Sequence, residues 1–245
     1  MIRKHSLLQF LAGAVMLAAL PSCINDDDTS GINLPTALVT VCPDEDGTFV
    51  MHLDNTTRLV PTNLASSPFG KKEVRALVNY TETEEYTDDD KIRNVKVNWL
   101  DSIRTKLPVE SAGDRNDEMF GKDPIEIVRD WVTVAEDGYI TLRVRTLWGI
   151  QNTRHAINLL TGVNESDPCE LEIRHDAKGD IHGEWGDALV AFNLNGLAGE
   201  LGDVAKIKLK WMSFSGEKSV EFDLKMRPLK QDVDASSILH SKAVE

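Results

Sequence analysis

Gly138-Tyr-Ile-Thr-Leu-Arg-Val-Arg-Thr-Leu-Trp148 alternates with a period of two. Ile140, Leu142, Val144 and Trp148 share one phase, and Tyr139, Thr141, Arg143 and Arg145 share the other. Successive side chains of a β-strand point to opposite faces, so this stretch predicts a strand buried on one side. The same alternation returns in Val95/Val97/Trp99, Ala188/Val190/Phe192/Leu194, Ile207/Leu209/Trp211 and Val220/Phe222/Leu224/Met226. Turn signals separate these runs at Asp44-Glu-Asp-Gly47, Glu136-Asp-Gly138, Lys178-Gly179 and Ser215-Gly216. No stretch reads as an amphipathic helix of ordinary length. The chain is expected to be all-β.

The strands fall into two blocks. The first, 35–108, holds five candidates near 36–42, 48–53, 57–61, 72–81 and 93–106. Five short strands suit a small closed barrel of the OB type. The second, 124–230, holds seven near 126–135, 138–148, 155–161, 169–175, 187–195, 204–214 and 219–226. Seven suit an antiparallel β-sandwich. Between them, 109–123 is polar and reads as a linker, with Gly113, Asp114, Arg115, Asn116 and Asp117. Residues 231–245 read as a disordered tail.

The N-terminus carries an address. Arg3 and Lys4 precede a nearly apolar run from Leu7 to Leu20, broken only by Gln9 and Gly13. A spanning helix needs about 20 apolar residues, and this run has the length and flanks of a secretory signal, residues 1–22. Leu20-Pro-Ser-Cys23 resembles the lipobox of bacterial lipoproteins, which implies cleavage before Cys23 and acylation of its thiol and amine. Several acyl chains hold a membrane far better than one. Asp26, Asp27 and Asp28 follow within a short polar tether, 23–34. That cluster resembles the surface-export signal of Bacteroidota lipoproteins. It implies an outer-membrane protein displayed at the cell surface, with the periplasmic face as the alternative.

Charge narrows the partners. The whole chain carries −13; residues 1–22 contribute Arg3 and Lys4 and no acid, so residues 23–245 carry −15. Nucleic-acid binding is largely electrostatic and needs cations, so nucleic acid is excluded as a partner. With Cys23 lipidated, Cys42 and Cys169 remain. An oxidising envelope permits a bridge between them, but two distant cysteines do not define a framework, and buried free thiols are the expectation.

The chain resembles the NigD-like lipoproteins of Bacteroidota. The resemblance rests on Val97-Asn-Trp-Leu-Asp-Ser-Ile-Arg-Thr-Lys106, on Asp123-Pro-Ile125 before Trp131, on Gly138-Tyr-Ile-Thr-Leu142 and on His155-Ala-Ile-Asn-Leu159. It implies an OB barrel followed by a β-sandwich, a cell-envelope location and a link to bacteriocin-related gene clusters. It implies no catalytic residue.

Motifs that could carry chemistry are few. His175-Asp176-Ala-Lys-Gly-Asp180-Ile-His182 puts two imidazoles and two carboxylates around a Lys-Gly turn. Across a hairpin, His175 and His182 could meet as zinc or copper ligands, with Asp176 and Asp180 beside them; a polar hairpin tip is the plainer reading. Asp44-Glu-Asp-Gly47 fails the calcium-loop spacing and reads as a turn. Gly196 to Gly202 lacks the Lys-Ser/Thr of a phosphate loop and reads as a connection. His155 reads as a hydrogen-bonded structural histidine. Trp99, Trp148 and Trp211 lie on apolar phases, whereas Trp131, Trp185, Tyr80 and Tyr86 could stack on sugar rings. Asp101-Ser102-Ile103 matches the short pattern of Bacteroidota O-glycosylation at Ser102. No cofactor is expected. The sequence thus predicts a non-catalytic, lipid-tethered binding or scaffolding protein for an envelope protein or glycan. A glycan-binding module of a nutrient-uptake system is the alternative.

Overall fold

The computed structural model describes residues 34–87, 89 and 91–227. The signal segment 1–22, Cys23, Asp26, Asp27, Asp28 and the tail 231–245 lie outside the described residues.

Strands β1 (Ala37–Pro43), β2 (Phe49–His52), β3 (Arg58–Pro61), β4 (Val74–Glu82) and β5 (Ile92–Ser102) close a barrel in the order β1-β2-β3-β5-β4. Strands β3 and β5 pair in parallel, and the other neighbours are antiparallel. Period-two alternation fills the interior: Val39, Val41, Met51, Leu59, Val78 and Val95 are all fully buried. A register shift at Asn79/Tyr80 bends β4 against β5, as a bulge does at a barrel wall.

Two more sheets form the sandwich. One runs β6 (Arg104–Lys106), β13 (Glu184–Asn193), β10 (Tyr139–Trp148), β8 (Glu126–Val128), with β9 (Val134–Glu136) also paired to β10. The other runs β15 (Gly216–Lys225), β14 (Val204–Ser213), β12 (Glu170–Asp176), β11 (Ala156–Thr161), β7 (Val109–Glu110). Most pairs are antiparallel, but β6–β13, β7–β11 and β12–β14 are parallel. Ile140, Leu142 and Val144 of β10 face the core with Leu159, Ile173, Phe192 and Ile207.

The turn before β10 explains its exact start. Asp137 (φ 52°) and Gly138 (φ 74°) both take positive φ, and Glu136 pairs with Tyr139. That is a two-residue hairpin of the I′ kind, for which Asp-Gly is favoured. Only glycine fits the second place, because a Cβ on Gly138 would stand 1.9 Å from Asn195 Oδ1.

Segment 109–123, expected as a linker, is part of the sandwich. It contributes β7 and the short helix α1 (Asn116–Phe120). Asp117 pairs with Arg174 at 2.7 Å, and the Asp123 N–H donates to the His175 carbonyl at 2.9 Å. Polar composition concealed this, since a two-residue strand has no readable period. Leu107-Pro108 crosses from β6 in one sheet to β7 in the other, tying that side of the sandwich. On the opposite side, the first sheet ends in β8 and β9, split by the excursion 129–133, and the second ends in β15. The connection from β13 to β14 holds the short helix α2 (Ala198–Leu201), within the Gly196–Gly202 stretch.

Candidate functional site

Three regions hold the polar and aromatic groups that could act: the expected His/Asp cluster, the joint between the domains, and the open side of the sandwich.

The His/Asp cluster differs from the hairpin expectation. The Lys178-Gly179 turn carries the chain from β12 in one sheet to β13 in the other, so it does not fold His182 back onto His175. His175 is buried and His182 is exposed. The group that does assemble is His155, His175 and Asp180. His155 Nδ1 lies 2.9 Å from His175 Nε2, and His155 Nε2 lies 3.2 Å from Asp180 Oδ2. His175 Nδ1 lies 3.1 Å from the Pro124 carbonyl. A carbonyl only accepts, so His175 donates from Nδ1 and accepts at Nε2. His155 Nδ1 then donates to His175, and its Nε2 faces the Asp180 carboxylate. Burial pushes the Asp180 carboxyl up, but hydrogen bonds from His155, Ile150 N–H and Gly149 N–H outweigh it and hold it low. Burial holds His175 below its ordinary value. The His155 ring stacks on Trp148 with centroids 3.9 Å apart. Two nitrogens on one tetrahedral zinc stand about 3.3 Å apart, so the 2.9 Å contact is a hydrogen bond. Among the described residues no group of three or more His, Cys, Asp and Glu is arranged for a metal. Asp176 instead binds Lys178.

Cys42 and Cys169 are free thiols. Burial and the nearby Glu73 carboxylate push the Cys42 thiol up to about 12, which leaves it unreactive. Ser102 lies exposed at the end of β5, beside buried Ile103.

The joint was not foreseen. Arg75 on β4 is fully buried. Its guanidinium donates to Thr40 at 2.9 Å, to Thr141 at 3.3 Å and to Glu136 at 2.6 Å, spanning barrel and sandwich. Beside it, Tyr139 donates to Glu73, and Arg227 binds Glu73 at 2.8 Å and Asp137 at 2.5 Å. Burial pushes the Asp137 carboxyl up, but hydrogen bonds from His52 and Arg227 prevail and hold it at about 2. Leu38, Ile103, Tyr139 and Ala191 form an apolar cluster at the same joint. Tyr139 and Thr141, on the outward phase of β10, are fully buried there because the barrel covers them. The available signal was a lone arginine inside Val74-Arg-Ala-Leu-Val78.

The third region is a cleft of about 750 Å³ between the β8/β9 edge and β15. Its floor is Ile140, Leu142, Leu209 and Trp211, and its lips carry Ile127, Val134, Val220 and Phe222. Trp211 is buried, and its indole nitrogen has no hydrogen-bond partner. Trp99 and Trp148 are half-buried. Trp131 (54%) and Trp185 (56%) are exposed, and Trp185 meets Phe214 edge-to-face at 4.8 Å.

A closed five-stranded barrel joined to a two-sheet sandwich defines a two-domain all-β protein with an OB barrel first. Residues 38–103 match the NigD-like N-terminal OB domain, and residues 107–224 match the NigD-like C-terminal beta sandwich domain. The chain belongs to the NigD-like family. Among solved structures, it is similar to a candidate toxin-related protein from Parabacteroides distasonis, with 29% identity, TM-score 0.65, and 84% of this chain and 98% of that one covered. It shares its fold with a NigD-like immunity protein from Bacteroides caccae (19% identity, TM-score 0.54, 77% and 96% covered). It also shares it with a candidate lipoprotein from Bacteroides fragilis (13% identity, TM-score 0.51, 77% and 96% covered). No curated protein matches the chain. Among the described residues, no helix is long and apolar enough to cross a membrane.

Proposed function

We propose that this chain is a non-catalytic lipoprotein of the outer membrane, anchored by acyl groups on Cys23 and displayed at the cell surface behind Asp26, Asp27 and Asp28. Its two β domains act as one binding or scaffolding unit for an envelope protein or glycan, in a bacteriocin-related setting. The observation that carries the reading is the joint: Arg75 is fully buried and bonds residues of both domains, so they present a single surface. The fold shared with a candidate lipoprotein supports the anchor, and the fold shared with a NigD-like immunity protein supports the setting. Mass spectrometry of the chain from native cells tests the anchor: a chain starting at Cys23 and carrying acyl mass is expected. An intact Met1 start, or a bare thiol at Cys23, refutes it. Protease shaving of whole cells tests display, since a surface body is cut before lysis. Cross-linking in intact cells then identifies the neighbours.

The exposed Trp185–Phe214 pair favours a second reading, a glycan-binding module of a nutrient-uptake system, because exposed rings stack on sugar faces. On a glycan array, wild type binds and Trp185→Ala does not if that reading holds.

A further inference from the structure

The edges of the two sandwich sheets are finished in different ways. Proteins blunt a sheet edge with short strands, lysine, proline, bulges or a covering segment, because a free row of N–H and C=O groups can pair with another extended chain. β8 has three residues and β7 has two. β15 is long, but the Gly138 N–H donates to its Lys225 carbonyl at 2.9 Å, and its Lys218 binds Glu126 of β8 at 3.0 Å. β11 runs beyond β7, and there the Lys106 ammonium caps it, donating to the Ile157 carbonyl at 2.5 Å and to Asn158 Oδ1 at 2.6 Å. β13 is finished in none of these ways. It has ten residues, and β6 covers only Val190, Ala191 and Phe192. β6 cannot reach further back, because the residue before it, Ile103, donates its N–H to the Arg75 carbonyl of the barrel at 2.8 Å. Residues 184–188 have no strand beside them on that side.

Register decides which groups they present there. Along an antiparallel strand, successive residues turn their backbone groups alternately toward the partner and away from it. The Leu194 N–H donates to the Gly138 carbonyl at 2.9 Å, so even-numbered residues of β13 spend theirs on β10 and odd-numbered ones point the other way. Trp185 and Asp187 therefore each offer an N–H and a C=O to the free side. Both residues are exposed, and among the described residues nothing bonds those four backbone groups. Residues 184–188, Glu-Trp-Gly-Asp-Ala, hold no lysine and no proline, and their register with β10 is unbroken. Asp187 binds Arg143 and Arg145, so the charge at the centre of the stretch is neutralised. Gly186 and Ala188, on the inner phase with Val190 and Phe192, are small and half-buried, and Ala188 packs on the sandwich core.

We propose that residues 184–188 are a docking edge for an extended segment of a partner protein, which adds a strand to this sheet in line with β6. The N–H and C=O pairs of Trp185 and Asp187 recur about every 7 Å, the two-residue repeat of another extended backbone. The inward side chain of the added strand covers Ala188 and is apolar; its outward ones lie beside Trp185. This rests on the reading of the chain as a binding protein and names the surface that it uses.

The test has two arms, both on the full chain held in solution by an amphipathic polymer. The first is residue-resolved amide exchange. The Trp185 and Asp187 amides are expected to exchange at least about tenfold faster than those of Gly186 and Ala188, which β10 holds. Protection of Trp185 and Asp187 in the isolated chain overturns the proposal, since the edge is then already filled, by a second copy where protection rises with concentration. The second arm adds a blocked seven-residue peptide of alternating valine and threonine, and the same peptide with lysine at its central valine. The first peptide is expected to bind and to slow exchange at Trp185 and Asp187; the lysine peptide binds about tenfold more weakly. Asp187→Pro removes an edge N–H that β10 does not use, which an edge strand tolerates, and abolishes binding. Asp187→Asn keeps that N–H and binds like wild type. Ala188→Lys, a charge on the inner phase of the edge, also abolishes binding and stands in if the proline variant does not fold. No slowing by the first peptide overturns the proposal, as does equal binding of the two peptides or binding undiminished by Ala188→Lys. If the peptides fail while cross-linking in cells still captures a protein neighbour, the docking edge is refuted and the binding-protein reading stands. If the peptides bind as expected while cells yield no neighbour, the edge stands and that reading falls.

Discussion

The barrel and the sandwich solve the same problem differently. Each is built from strands of period two, yet the barrel closes on itself and the sandwich does not. Closure pairs both edges of every barrel strand, and Val39, Met51 and Leu59 pack together inside it. The sandwich is tied on one side by the Leu107-Pro108 crossing; on the other, Glu126 of β8 reaches Lys218 of β15 at 3.0 Å and a cleft of about 750 Å³ remains beside them. A closed barrel leaves no strand edge free, whereas the two-sheet sandwich keeps a cavity between its layers.

The largest test of this contrast lies at the joint. Arg75→Leu removes a fully buried cation from three residues of two domains and leaves Glu136 without its partner. Breaking a buried pair costs about 3–5 kcal/mol. In urea, wild type is expected to unfold in one transition and the variant in two, barrel and sandwich separately. A single transition at the wild-type midpoint would show that the domains are coupled by other contacts.

Next come paired truncations. Leu59→Ala in the closed barrel should cost about 3–5 kcal/mol, because the void has nowhere to collapse. Leu142→Ala on the cleft floor should cost about 2–3 kcal/mol, since it enlarges an existing cavity rather than opening a new one. Equal losses would mean that the cleft is shut in solution.

Asp137→Asn should cost about 2 kcal/mol at neutral pH, from a carboxyl held at about 2 against an ordinary 3.8. The folded value is depressed, so the stabilisation is complete above 3.8 and disappears as pH falls through that value toward 2. Thermal melts of wild type and variant should differ at pH 7 and converge near pH 2.

The smallest effect belongs to Ser102→Ala. The residue is exposed, and its stability should change by less than about 0.5 kcal/mol. Any glycan mass on the chain from native cells should disappear with it.

Much of the fold was legible because its cause is local. The barrel strands, β10 and the Asp137-Gly138 turn follow from alternation and turn chemistry that a short window contains. What was hidden depends on which strand lies beside which. Tyr139 and Thr141 read as an outward phase, and only the arrival of the barrel buries them. The Lys178-Gly179 turn read as a hairpin, because periodicity cannot tell a return within one sheet from a passage to another. The cleft had no signal at all: Leu142, Leu209 and Trp211 alternate like any core residues, and the cavity beside them is not written in them. The NigD-like resemblance gave the barrel-then-sandwich order, which the matches at 38–103 and 107–224 bear out.

The parallel strands β6 and β7 also set an order of assembly. The barrel has all five of its strands once residue 102 has been made. Residues 104–106 must wait for 190–192, and 109–110 for 160–161, before they find their neighbours. Such distant pairings are slow to form. A chain emerging from its N-terminus therefore has a finished first half while the second is still an unclosed ribbon, and that interval is when it is most exposed to aggregation and to proteases.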